Sequence, residues 1–206
     1  IALPLAFSAY ARSALSTLEH LLVPRGLKSA GFSADRALSG YGTIQGMVMP
    51  IISFPACFLM ALSELMIPEL TEVQMRGERT EISRTVRSLL KKGSGYSLAV
   101  ALEIFIFADR LGIAVYSSPE AGHFLRLLAP LIPIMYTDML CDGCLKGLGQ
   151  QMWNMGINVL DALLGVLLVW RVLPVYALTG YICIIYFNEC LNFALSMLRL
   201  RRVIRS

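Results

Sequence analysis

Histidine is nearly absent from this sequence. His20 and His123 are the only two in 206 residues, and they lie far apart. No H-E-x-x-H, G-x-x-x-x-G-K-[ST] or G-x-S-x-G stretch occurs, so zinc-protease, phosphate-loop and nucleophile-elbow chemistry have no residues to run on. Of the five cysteines, Cys141 and Cys144 have C-x-x-C spacing but no second pair and no neighbouring histidine, so the spacing reads as small membrane-helix residues and not as a metal or redox site. No catalytic set, cofactor site or metal site is expected, and the chain is not read as an enzyme.

Charge is scarce as well. Only 16% of residues are charged and 56% are hydrophobic, with a mean hydropathy of +0.65. A soluble domain is nearer a quarter charged, so the composition describes a polytopic membrane protein. The net charge of +4 does not point to nucleic acid, because the basic residues cluster between apolar runs and form no single stripe. There is no initiator methionine and no signal peptide: the first residue already stands at the edge of an apolar run, which leads us to expect an upstream part.

Six apolar segments approach the ~20 residues needed to cross hydrocarbon. They run over about 3–23, 43–67, 96–116, 123–140, 153–170 and 181–198, and predict an all-α, six-transmembrane-helix bundle occupying 1–206. Pro24 and Pro68 are expected to close the first two, and Pro50 and Pro55 to kink the second. A short helix is possible from Ser33 to Leu38. Residues 71–92 read as a basic amphipathic linker helix on the membrane surface, with Ile82, Val86, Leu89 and Leu90 on one face. Arg79, Arg84, Arg87, Lys91 and Lys92 would then meet anionic lipids. The Asp142–Gln151 segment reads as a glycine-rich loop, and 199–206 as a basic tail.

The segments 71–92, 142–151 and the tail together hold eleven Lys and Arg, against four (Arg25, Lys28, Arg36, Arg171) in the opposite loops. The positive-inside rule therefore places both ends of the chain in the cytoplasm.

A charge inside a span costs several kcal/mol or so unless it faces protein or water, so it is a functional-site hypothesis. Arg12 and Glu19, seven apart, fall about 20° from each other on the first helix, with Ser8 and Ser16 beside them. Leu3, Phe7, Tyr10, Ala14 and Leu21 occupy the opposite, lipid-facing side. The two charges are ~10 Å apart along the axis, so each needs its own partner. Glu103, deep in the third span, joins Arg12, Glu19, Ser8 and Ser16 as a candidate. Asp109 and Arg110 read as an interfacial ion pair, with Arg126 at the same outer interface. Asn158, Asp161, Asn188, Glu189 and Asn192 on the last two spans read mostly as polar glue between helices.

Four stretches, LPLAFSAYARSALSTLEHLLVPRGL, YGTIQGMVMPIISFP, LAPLIPIMYTDMLCDGCLKGLGQQ and NVLDALL, together resemble the stage V sporulation protein B family. These are polysaccharide-biosynthesis membrane proteins of the multidrug/oligosaccharidyl-lipid/polysaccharide exporter superfamily. The resemblance implies the C-terminal lobe of a twelve-span, two-lobe transporter, with a missing N-terminal six-helix lobe as partner. It implies flipping of a lipid-linked oligosaccharide or peptidoglycan precursor for the spore cortex or cell wall across the cell membrane by alternating access, and inactivity of the lobe alone. Arg12 would meet the pyrophosphate of the lipid-linked glycan, while Glu19 would orient a sugar or respond to a cation. The alternatives are a cation-coupled multidrug antiporter of the same superfamily, and a membrane scaffold for cell-wall enzymes that uses the basic helix.

Overall fold

The computed structural model describes residues 2–29, 31, 34–77 and 79–205, and every extended element among them is helical. Among the described residues three stretches are long and apolar enough to cross a membrane: Leu38–Arg76, Pro119–Gly147 and Gln151–Ile204. The outer surface agrees with that composition. Phe54, Phe58 and Leu65, and then Leu98, Leu102 and Ile106, are all more than half exposed, as lipid-facing side chains are.

Helix α1 (Ala2–Ser29) runs through Pro24 instead of stopping there. Helix α2 (Ala34–Thr43) begins next to the short helix expected from Ser33, which itself lies outside the described residues, and extends further. A π-helical turn, Ile44–Val48, joins α2 to α3 (Met49–Arg76). Helix α3 also continues past its expected end at Pro68, and stops at Gly77 with φ 75. Neighbouring helices allow a membrane helix to absorb the backbone bonds that proline removes, so proline is a poor terminator here.

Helix α4 (Arg79–Tyr116) joins the basic amphipathic segment and the third apolar run into one element of 38 residues, about 57 Å long. Ile82, Val86, Leu89, Gly93, Ser97, Val100, Ile104 and Ala108 are buried at spacings of three or four, one stripe along the helix. That shared stripe explains why the basic half does not separate as a surface element. Ser118 then caps α5 (Pro119–Leu128) by accepting from the Ala121 N–H at 3.2 Å. A 3₁₀ turn at Ala129–Leu131 leads into α6 (Ile132–Gly147), which absorbs most of the expected 142–151 loop.

Of the glycines that suggested a loop, Gly149 turns the chain with φ 69, while Gly143 and Gly147 serve close packing. A side chain at Gly147 would begin 3.1 Å from both the Ile67 carbonyl oxygen and the Leu70 Cβ, so α6 presses against α3 there. The last helix, α7 (Gln151–Arg205), is a hairpin broken at Ala177, whose φ 51 and ψ −134 are not helical. Its arms are antiparallel. Arg199 donates to Gln150 Oε1 at 2.6 Å and lies 4.8 Å over the Trp153 ring, while Asn188 reaches Gly165.

Helix α6 is the buried centre, with Ile132, Tyr136, Leu140, Cys141, Cys144 and Leu145 at 0–1% exposure. The Tyr136 hydroxyl donates to the Ile52 carbonyl at 2.5 Å, and the Tyr96 hydroxyl to that of Pro55 at 3.0 Å, so α6 and α4 grip the same turn of α3. Helix α1 packs mainly on the α7 hairpin, and α3 mainly on α6.

Candidate functional site

A cavity of about 430 Å³ lies where α1, α3, α6 and both arms of α7 converge. Its wall holds two cations, Arg12 and Lys146, and four carboxylates, Glu64, Asp138, Asp142 and Glu189. Asn158 and Asn192 add amides, and Tyr136 with Met60, Met135 and Met139 supplies an apolar side. Polar side chains drawn from several helices around one cavity are the arrangement of a membrane binding site.

Asp142 is the best-anchored member. Ser196 on the second arm of α7 donates to its Oδ1 at 3.3 Å. The Asn154 amide, with its NH₂ turned inward, donates to both carboxylate oxygens at 3.2 Å. Asn158 in turn donates to the Asn154 carbonyl at 2.9 Å. Arg12 lies within electrostatic reach of Asp142 and Asp161. Among the described residues four oxygens are buried without a donor: Asp138 Oδ1 and Asn192 Oδ1 on the cavity wall, and Asp161 Oδ1 and Asn188 Oδ1 outside it. Among the described residues no three His, Cys, Asp or Glu side chains are grouped closely enough to hold a metal ion by themselves.

The candidates from the sequence divide. Arg12 enters this cavity, and with Ser16 and Asn158 it also lines an adjoining one of about 380 Å³. Glu19 sits further along α1, against Gly165, with its Oε2 3.2 Å from where a side chain there would begin. His20 bonds the Tyr41 hydroxyl, whose ring meets Tyr181 edge-on at 5.7 Å, and Gln45 donates to the Tyr181 hydroxyl at 2.6 Å. Glu103 is exposed on α4 among Leu102, Phe105 and Ile106, on a helix that α1 does not pack against. The side chain of Ser8 lies outside the described residues, as do those of Leu3 and Phe7. Asp109 pairs with Arg126 at 2.6 Å, and Arg110 instead lies over the Phe107 ring at 5.9 Å.

Asp138, Asp142 and Lys146 are the residues that sequence reasoning passed over. Their spacing of four puts them on one face of a helix. That signal was present, but it was hidden because the segment after Asp142 was read as a loop. Glu189 and Asn192 were noticed only as glue, and they line the cavity wall with Asp138.

Helices long and apolar enough to cross a membrane line this polar cavity. The MatE family pattern matches residues 29–170, and the chain belongs to that family, within the multidrug/oligosaccharidyl-lipid/polysaccharide exporter superfamily. It is similar to sporulation protein YkvU of Bacillus subtilis (strain 168), 29% identical over 135 residues, 66% of this chain and 30% of that protein. It is also similar to stage V sporulation protein B of the same organism, 26% identical over 153 residues, 72% of this chain and 28% of that protein. The chain thus spans less than a third of the length of either curated relative. No solved structure matches it.

Proposed function

We propose that this chain is the C-terminal, six-span lobe of an exporter that moves an anionic lipid-linked oligosaccharide or peptidoglycan precursor across the cell membrane. One observation carries the reading: Arg12 of α1 and Lys146 of α6 reach a single cavity from different helices. A guanidinium offers a planar fork to a pyrophosphate, and an ammonium adds a mobile point charge. Asp142, within electrostatic reach of both, offsets part of their charge before substrate arrives, since an uncompensated charge at this depth would be costly. Substrate phosphates then take over the cations, and rocking of this lobe against its partner lobe carries the head group across. The two relatives are sporulation proteins by name, which supports a role in sporulation.

The test uses the two-lobe protein with a cysteine in place of Ser16. A lipid-linked pyrophosphate is expected to shield that cysteine from a membrane-impermeant thiol reagent. Shielding by lipophilic cations alone sinks the flippase reading.

A cation-coupled antiporter is the second reading, and the four donorless oxygens favour it. Carboxylate and amide oxygens are the ligands that hard cations take. Under this reading export follows a sodium or proton gradient, and lipophilic cations are the cargo.

A further inference from the structure

The turn at Gly77, the turn at Leu148–Gln150 and the end of α7 lie together at one end of the bundle, where Gln74, Gln150 and Arg202 share a cavity. On the far side of the α7 end runs a second groove of about 630 Å³, between the first turns of α4 and the last turns of α7. Its floor is apolar. Leu90 comes from α4, while Met197 and Leu200 come from α7. Its rim is cationic: Arg87 and Lys91 follow at a spacing of four on α4, and Arg201 faces them from α7. Among the described residues, Arg87, Lys91 and Arg201 form no ion pair with a carboxylate.

We propose that this groove is a binding site for one anionic phospholipid. Its phosphate lies between Arg87, Lys91 and Arg201, and an acyl chain lies along Leu90, Met197 and Ile204. The pairing of surfaces selects the occupant. A soluble acidic peptide or free phosphate satisfies the cations but leaves the apolar floor uncovered, whereas an anionic lipid covers both. The groove also separates the basic residues of α4 into two groups. Arg87 and Lys91 line it together with Arg201, Arg84 shares only a neighbouring recess with Arg87 and Lys91, and Lys92 lines neither. The site is independent of what the transporter exports.

The test places the chain in nanodiscs of phosphatidylcholine with a minority of phosphatidylglycerol and counts retained lipids by native mass spectrometry. Wild type is expected to keep one phosphatidylglycerol. Arg87→Gln with Arg201→Gln should weaken retention by about fivefold for each cation removed. Lys92→Gln with Arg202→Gln, an equal change in charge at residues that do not line the groove, should leave retention within about twofold, since charges outside the groove act only through a screened surface potential. Leu90→Trp, at a half-buried floor position, should lower retention without any change of charge, and Leu90→Gln should do so without added bulk. Equal losses from the two charge pairs would mean a diffuse basic surface and overturn the site. So would full retention by both Leu90 variants, or displacement of the lipid by inorganic phosphate or an acidic peptide. Thermal unfolding of each variant in phosphatidylcholine alone separates lost binding from lost folding.

Discussion

The carboxylate of Glu19 and the side-chain amide of Asn188 flank Gly165 from two different helices, 3.2 Å and 3.0 Å from the point where a side chain there would begin. The absent side chain lets α1 settle on the α7 hairpin and brings a charge of the first helix to an amide of the last. Gly165→Val is therefore expected to push α1 away and destabilise the bundle by about 1–3 kcal/mol. Gly156→Ala, with nothing within 4 Å of its Cβ position, should be neutral or slightly stabilising. Thermal unfolding in detergent compares the two. An equal response at both positions would remove the packing argument.

Arg12 carries the proposed substrate contact. Arg12→Lys retains the charge and loses the fork, so lipid-linked pyrophosphate export in the two-lobe protein should fall by about tenfold, and Arg12→Ala should lower it further. Lys146→Arg should be tolerated better than Lys146→Ala. Unchanged export in Arg12→Ala rules out this assignment.

Asp142 ties α6 to both arms of α7 through Asn154 and Ser196. Asp142→Ala leaves both donors without their acceptor and should destabilise by about 1–3 kcal/mol. A double-mutant cycle with Ser196→Ala should give a coupling of about 0.6 kcal/mol, the usual size between membrane helices. Strict additivity would show that the 3.3 Å contact contributes nothing.

Ala177 holds φ 51 and ψ −134, a conformation disfavoured for any residue with a Cβ. Ala177→Gly removes that strain and is expected to stabilise the hairpin by about 1 kcal/mol, while Ala177→Val should destabilise it. Unfolding midpoints of the three proteins in detergent should rank glycine, alanine, valine.

The Arg126–Asp109 pair marks the contrast between buried and surface charge. Both side chains are about half exposed, at 48% and 56%, so Arg126→Ala should change stability by no more than about 1 kcal/mol. A larger loss would mean that the pair is shielded from water in the membrane-embedded protein.

Membrane class, helical content and the face shared by Arg12, Ser16 and Glu19 were legible in the linear order. Each depends on composition or on the 3.6-residue period, which are properties of short windows. The prolines misled for the same reason. Pro24 and Pro68 look like helix ends in isolation, but packed neighbours let α1 and α3 continue through them. The glycines after Asp142 look like a loop until α3 lies against Gly147.

What the sequence by itself determined is that apolar helices must cross a bilayer and that their few charges must turn away from lipid, because neither requirement depends on a partner. Only the tertiary structure decided which charges meet. Arg12 and Lys146 share a cavity with Asp138, Asp142 and Glu189, while Glu103 remains on the outer face of α4. Glu19, which looked like the companion of Arg12, settles instead beside Gly165 and Asn188. The choice is made by how closely helices approach, and that distance is fixed by residues far away in the chain, 146 positions for Glu19 and Gly165 and 77 for Leu70 and Gly147.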